Sequence, residues 1–127
     1  MRRTADQTVL IVEPDADARA SLRSTLEADG YTVVATSGAD DALSLIDHPR
    51  ITLVVTELYL RNRGSRCLLS AICTRSPRRR AKVMAYTTHG RARDRAWAAA
   101  SGADAYVLKR NGAARLLEVV GKLSGAR

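Results

Sequence analysis

The sequence predicts an α/β domain in which helices cover both faces of a parallel sheet, and three observations predict it. Short continuous apolar runs such as TVLIV at 8–12 suit strands buried on both faces. Five such runs alternate strictly with five helical patterns, an order that implies parallel strands joined by right-handed crossovers. A chain of 127 residues, 46% of them hydrophobic, suits one domain with one substantial core.

The elements follow in order. After the first strand, PDADARASLRSTLEADG carries Pro14 and Asp15 as start signals, Leu22 and Leu26 on one face, and Gly30 as a stop. YTVVAT (31–36) reads as the second strand. GADDALSLIDHP (38–49) reads as a short helix, with Ala42, Leu45 and Ile46 inward and Pro49 beyond its end. ITLVVTE (51–57) is the third strand, and SRCLLSAICTRSP (65–77) the third helix, carrying Leu68, Leu69 and Ile72. AKVMAYT (81–87) is the fourth strand, and a helix over about 91–101 follows it. ADAYVLK (103–109) is the fifth strand, and GAARLLEVVGKLSG (112–125) the closing helix.

Composition excludes several classes. The sequence holds no run of about 18 apolar residues, and MRRTADQ has no apolar stretch behind its arginines, so neither a membrane span nor a signal peptide is expected. A cytoplasmic location is the expectation. Cys67 and Cys73 lie six apart in a predicted helix, on different faces, so both are expected as reduced, buried or half-buried thiols. Charge is divided unevenly: residues 1–60 hold five Lys/Arg against ten Asp/Glu, and residues 61–127 hold sixteen against three, leaving −5 and +13. Such a split points to an acidic partner or nucleic acid for the second half, or to a solvated basic exterior.

In a doubly wound sheet, functional groups collect at the carboxyl edge of the strands. Glu13 follows the first strand, Glu57 ends the third, Thr87 the fourth and Lys109 the fifth, so four polar residues are expected at one edge. With VLIVEPD, LVVTELYL, KVMAYTT and SGADAYVLKR at these places, the chain resembles the receiver domain of two-component response regulators over about residues 8–124. The resemblance implies a flavodoxin-like (βα)5 fold with strand order 2-1-3-4-5. It further implies an aspartate that accepts a phosphoryl group from a histidine kinase, beside magnesium held by acidic side chains. It sets Glu57 at the phosphoacceptor position, Glu13 and Pro14 at the acidic pair, Thr87 and Tyr106 at the switch positions, and Lys109 at the lysine that pairs with the phosphoacceptor.

Departures from the pattern shape the functional expectation. Pro14 contributes no carboxylate, Glu13 and Glu57 are one methylene longer than aspartate, and Arg110 stands where a proline usually follows the lysine. Magnesium demands near-ideal octahedral oxygen geometry, so at most a weak site at Glu13 and Glu57 is expected, with no other cofactor. Phosphoryl transfer depends on positioning, and a nucleophile displaced by about 1.5 Å is badly placed for it. Three readings of Glu57 stand: a mimic of a phosphorylated aspartate, an inert partner of Arg61, Arg63 or Arg110, or a retained phosphoacceptor. The expected function is a phosphorylation-independent protein-binding module without catalysis of its own.

Other residues are weaker candidates. His48 and His89 lack neighbours at metal-ligand spacing. RSPRRRAK (75–82) is a basic loop without aromatics, read first as solvated and second as a nucleic-acid patch. Trp97 lies among Ala96, Ala98, Ala99 and Ala100, a small-residue surface expected to pack closely on the sheet. It is either half-buried beside the core or an exposed interface anchor. Around it, Arg91, Arg95 and Arg110 favour an acidic protein partner on the face of the fourth helix, fifth strand and fifth helix, and oppose a symmetric self-dimer there.

Overall fold

The computed structural model describes residues 7–60, 64–74 and 81–125, with side chains described outside 64–67. Its elements are β1 (Thr8–Val12), α1 (Ala16–Ala28), β2 (Thr32–Thr36), α2 (Ala39–Leu43), β3 (Ile51–Thr56), α3 (Gly64–Cys73), β4 (Lys82–Thr87), α4 (Ala92–Ala100), β5 (Ala105–Leu108) and α5 (Gly112–Ser124). The five strands form one parallel sheet in the order β2-β1-β3-β4-β5, the flavodoxin-like arrangement that the resemblance implied.

Alternation along each strand explains the uninterrupted apolar runs. Val9 and Ile11 of β1 face a core with Leu22 and Leu26 of α1 and Leu116 and Val120 of α5. Leu10 and Val12 face the opposite core, with Ala42 of α2 and Leu68, Leu69 and Ile72 of α3. A third, smaller cluster joins Leu58, Ala85 and Ala98 to the half-buried Trp97 and Tyr106.

Local chemistry sets the ends of the elements. Asp15 caps α1, its carboxylate accepting from the Ala18 N–H at 2.8 Å, and Gly30 closes that turn with φ +98°. Helix α2 is shorter than expected because the Ser44 hydroxyl donates to the Asp41 carbonyl at 2.7 Å, competing with the helical pattern, and residues 44–47 continue as turns. The fifth strand is also shorter, since Asp104 brackets Val83: its N–H donates to the Val83 carbonyl at 2.8 Å, and its carboxylate accepts from the Val83 N–H at 2.8 Å. At its other end β5 stops at Leu108, and Lys109 does not end a strand but begins a single 3₁₀ turn, Lys109–Asn111. The third helix stops at Cys73, and residues 75–77 of its expected span lie outside the described residues.

Two packing expectations need correction. Of the alanines on α4 only Ala98 is buried, because the inward face of a nine-residue helix at 3.6 residues per turn holds just Asp94 and Ala98. The Cys73 thiol is exposed, at the last turn of α3 against the Gly102 turn; the Cys67 side chain lies outside the described residues.

Candidate functional site

The carboxyl edge of the sheet gathers the predicted polar residues. Backbone ladders aim the two acids: the Glu13 N–H donates to the Thr36 carbonyl at 3.0 Å, and the Glu57 N–H to the Val12 carbonyl at 2.9 Å. Both carboxylates thus begin immediately beyond adjacent central strands. Lys109 reaches them from beyond β5, with Nζ 2.5 Å from Glu13 Oε1 and 3.0 Å from Glu57 Oε2. The expected Lys109–Glu57 contact is present, and the shorter contact to Glu13 is one that the sequence did not single out.

The cluster is largely removed from water, with side-chain exposures of 5% for Glu13, 13% for Glu57 and 23% for Lys109. Among the described residues its formal charges are two negative and one positive. Burial alone would depress the lysine pKa, but hydrogen bonds to Glu13 and Glu57, together with their charges, outweigh it and raise the pKa above its ordinary value. Backbone donors hold the remaining oxygens: the Asp15 N–H donates to Glu13 Oε2 at 3.0 Å, and the Leu58 N–H to Glu57 Oε1 at 2.7 Å. Tyr86, with its ring 6.0 Å from the ammonium, has a raised phenol pKa, chiefly through burial.

Pro14 is exposed, and in place of a carboxylate it offers a carbonyl that accepts from Arg19 Nη1 at 3.3 Å. The same nitrogen donates to the Glu13 carbonyl at 2.9 Å, so Arg19 ties down the loop between β1 and α1. Thr87 is fully buried, and its hydroxyl oxygen accepts from the His89 N–H at 3.3 Å. Tyr106 is half-buried, donates its hydroxyl to the His89 carbonyl at 2.5 Å, and carries the Arg95 guanidinium 4.8 Å above its ring.

Around this edge the remaining candidates separate. Trp97 is half-buried against the Leu58, Ala85 and Ala98 cluster. Arg91, Arg95 and Arg110 are exposed, Arg110 beside Gly90 and Leu108. His48 and His89 are exposed, and among the described residues no group of three or more His, Cys, Asp or Glu side chains could hold a metal ion. Arg61 and Arg63, two other proposed partners of Glu57, lie outside the described residues, as do residues 75–80 of the basic loop at 75–82.

Sequence reasoning missed Tyr59. Its ring stacks parallel to Trp97 with centroids 6.2 Å apart, meets His89 edge-on at 4.6 Å, and its hydroxyl donates to the Asp94 carboxylate. That bond is the first cause of its raised pKa, ahead of desolvation and the Asp94 charge. A tyrosine two residues beyond Glu57 in a loop was the available signal.

A doubly wound sheet with two acids and a lysine joined at its carboxyl edge defines a class of signalling domain, and comparison with known proteins agrees. The chain belongs to the response regulator receiver domain family, whose model matches residues 9–121, and is thus a receiver domain of two-component signalling. It is 28% identical over 109 residues to an uncharacterised 14.6 kDa protein in the sodA1 3′ region of Leptolyngbya boryana, covering 86% of this chain and 83% of that protein. It is similar to the CheY-like receiver domain protein of Methanospirillum hungatei JF-1, with 27% identity, a TM-score of 0.80 and 94% of each chain covered. A receiver domain protein of Clostridium thermocellum has the same fold, with a TM-score of 0.84 at 20% identity over 94% of this chain and 95% of its own. No helix among the described residues is long and apolar enough to cross a membrane.

Proposed function

We propose that this receiver domain works without phosphorylation, as a protein-binding module held in one state by its own ion cluster. The observation that carries the reading is the Lys109 ammonium shared between Glu13 at 2.5 Å and Glu57 at 3.0 Å. In the family pattern this lysine pairs with the phosphoacceptor. Here a glutamate of the chain itself occupies that place, and one lysine already satisfies one oxygen of each acid.

The residues do not fit magnesium. Both carboxylates in reach are engaged by Lys109, Pro14 has no side-chain oxygen, and the Thr87 hydroxyl is tied to His89. A hexacoordinate ion needing oxygen donors in fixed geometry would have to displace the ammonium. Without it, a phosphoryl group approaching Glu57 lacks charge neutralisation on one side. A standing pairing of Lys109 with two carboxylates requires no kinase, and a histidine kinase is a binding partner consistent with the family.

Partner recognition falls to the basic second half. Exposed Arg91, Arg93, Arg95, Arg110 and Lys122 give α4 and both its flanks a positive surface that suits an acidic protein and disfavours its own copy, while Arg115 is paired with Glu118. Incubation with acetyl phosphate and magnesium followed by intact-mass measurement tests the reading. An unmodified mass is expected, and a phosphoryl adduct mapping to Glu57 overturns it.

A further inference from the structure

We propose that Tyr59, with Arg91 and Arg93, forms a docking site for an acidic peptide segment of a partner protein, with an apolar side chain of that segment seated on the Tyr59 ring. The proposal rests on the reading of the chain as a protein-binding module and names the anchor. The site lies on the flank of α4 beside the loop after β3, whereas Tyr106 and Arg95 lie together on the flank beside β5.

Tyr59, 52% exposed, is the one large hydrophobic residue exposed among those described. It is nevertheless held in place by Trp97 beneath it, His89 at its edge and the Asp94 carboxylate at its hydroxyl. An apolar side chain landing on a ring fixed in this way immobilises little that was free, which is the condition for a binding anchor.

Charge selects the partner. Asp94 is the only acid on α4, and it is 4% exposed and bonded to Tyr59, so its charge is withdrawn from the surface. Arg91 and Arg93 remain exposed and in no ion pair among the described residues; Arg93 lies one helical turn before Trp97, the ring that supports Tyr59, Arg91 stands at the N-cap of α4, and both charges act to lower the Tyr59 pKa. Among the described residues the patch therefore presents one aromatic ring and two arginines with no exposed acid on α4. Single-stranded nucleic acid is the poorer match, because it calls for successive stacking rings along a groove and here one ring is offered.

The test uses the full chain and a fluorescein-labelled peptide of glutamates around one central leucine, read by anisotropy at several salt concentrations and by amide shifts. Binding that weakens with salt is expected, with shifts at Tyr59, His89 and residues 91–97. Tyr59→Ala and Arg93→Glu should each weaken it about tenfold, the factor expected of an anchor residue. Tyr59→Phe should retain the anchor and guards against loss of fold in the alanine variant, and Arg50→Glu, exposed just before β3 at the amino edge of the sheet, should change little. The docking site is overturned by affinity within twofold of the parent in Tyr59→Ala and Arg93→Glu, by shifts centred on Tyr106 and α5, by no binding at all, or by labelled oligo(dT) binding this patch more tightly than the peptide. An acetyl phosphate arm run in parallel keeps the two readings apart. A phosphoryl adduct overturns phosphorylation independence whatever the peptide does, and absent binding without an adduct overturns only the docking site.

Discussion

Replacing Lys109 by alanine removes the cation that, among the described residues, two largely buried carboxylates share. Glu13 and Glu57 begin on adjacent strands, and the ammonium contacts both, at 2.5 and 3.0 Å. Breaking a fully buried pair by deleting one partner costs about 3–5 kcal/mol. Lys109 keeps 23% of its side-chain exposure, so water screens part of the interaction and about 2–3 kcal/mol is the expected loss. For a chain of this length each kcal/mol moves the melting temperature by roughly 3–5 °C, and a fall of about 10 °C follows. Glu57→Gln should behave oppositely. Among the described residues it leaves a Glu13–Lys109 pair in place of two acids around one base, and the melting temperature should stay within a few degrees of the parent. Because the folded-state pKa of Lys109 is raised, its contribution is fully present below the ordinary lysine value of about 10.4 and is lost as pH rises through the folded value. The gap between the parent and Lys109→Ala should therefore be constant from pH 7 to 9 and close in the strongly alkaline range. Thermal unfolding followed by circular dichroism measures both effects. An unchanged melting temperature in Lys109→Ala, or a larger fall in Glu57→Gln, refutes the shared-cation argument.

Four further outcomes follow from the same geometry. Gly102 has φ +112°, and a Cβ there would lie 1.9 Å from Cys73 Sγ, so Gly102→Ala should lower the melting temperature measurably, with partial recovery on adding Cys73→Gly. Asp15→Ala removes the α1 cap and should cost about 1 kcal/mol in urea unfolding, without change in slope. The triple change Glu13→Asp, Pro14→Asp and Glu57→Asp should raise magnesium affinity in calorimetry, and equal heats from parent and variant would count against the misfit described above. Sedimentation of the pure protein at physiological salt should show no tight symmetric dimer through α4, β5 and α5, and cross-links centred on residues 91–124 would contradict the charge argument.

What the sequence by itself determined is the scaffold. Short uninterrupted apolar runs suit strands covered on both faces, and their alternation with helical patterns points to a parallel sheet whose carboxyl edge collects Glu13, Glu57, Thr87 and Lys109. Those are periodicity and chain-order effects, local in origin and legible residue by residue. Tertiary structure decided which of the edge groups touch. Lys109 is ninety-six residues from Glu13, and at the start of the 3₁₀ turn beyond β5 its ammonium meets Glu13 as well as Glu57. It also decided the fate of Tyr59, Asp94 and Trp97. Nothing in ARDRAWAAA indicates that its acid would be buried under a tyrosine hydroxyl from the loop after β3, or that Trp97 would become the support and Tyr59 the exposed ring. Such contacts join side chains far apart in sequence, and their geometry exists only once the sheet has set the distance between the loops that carry them.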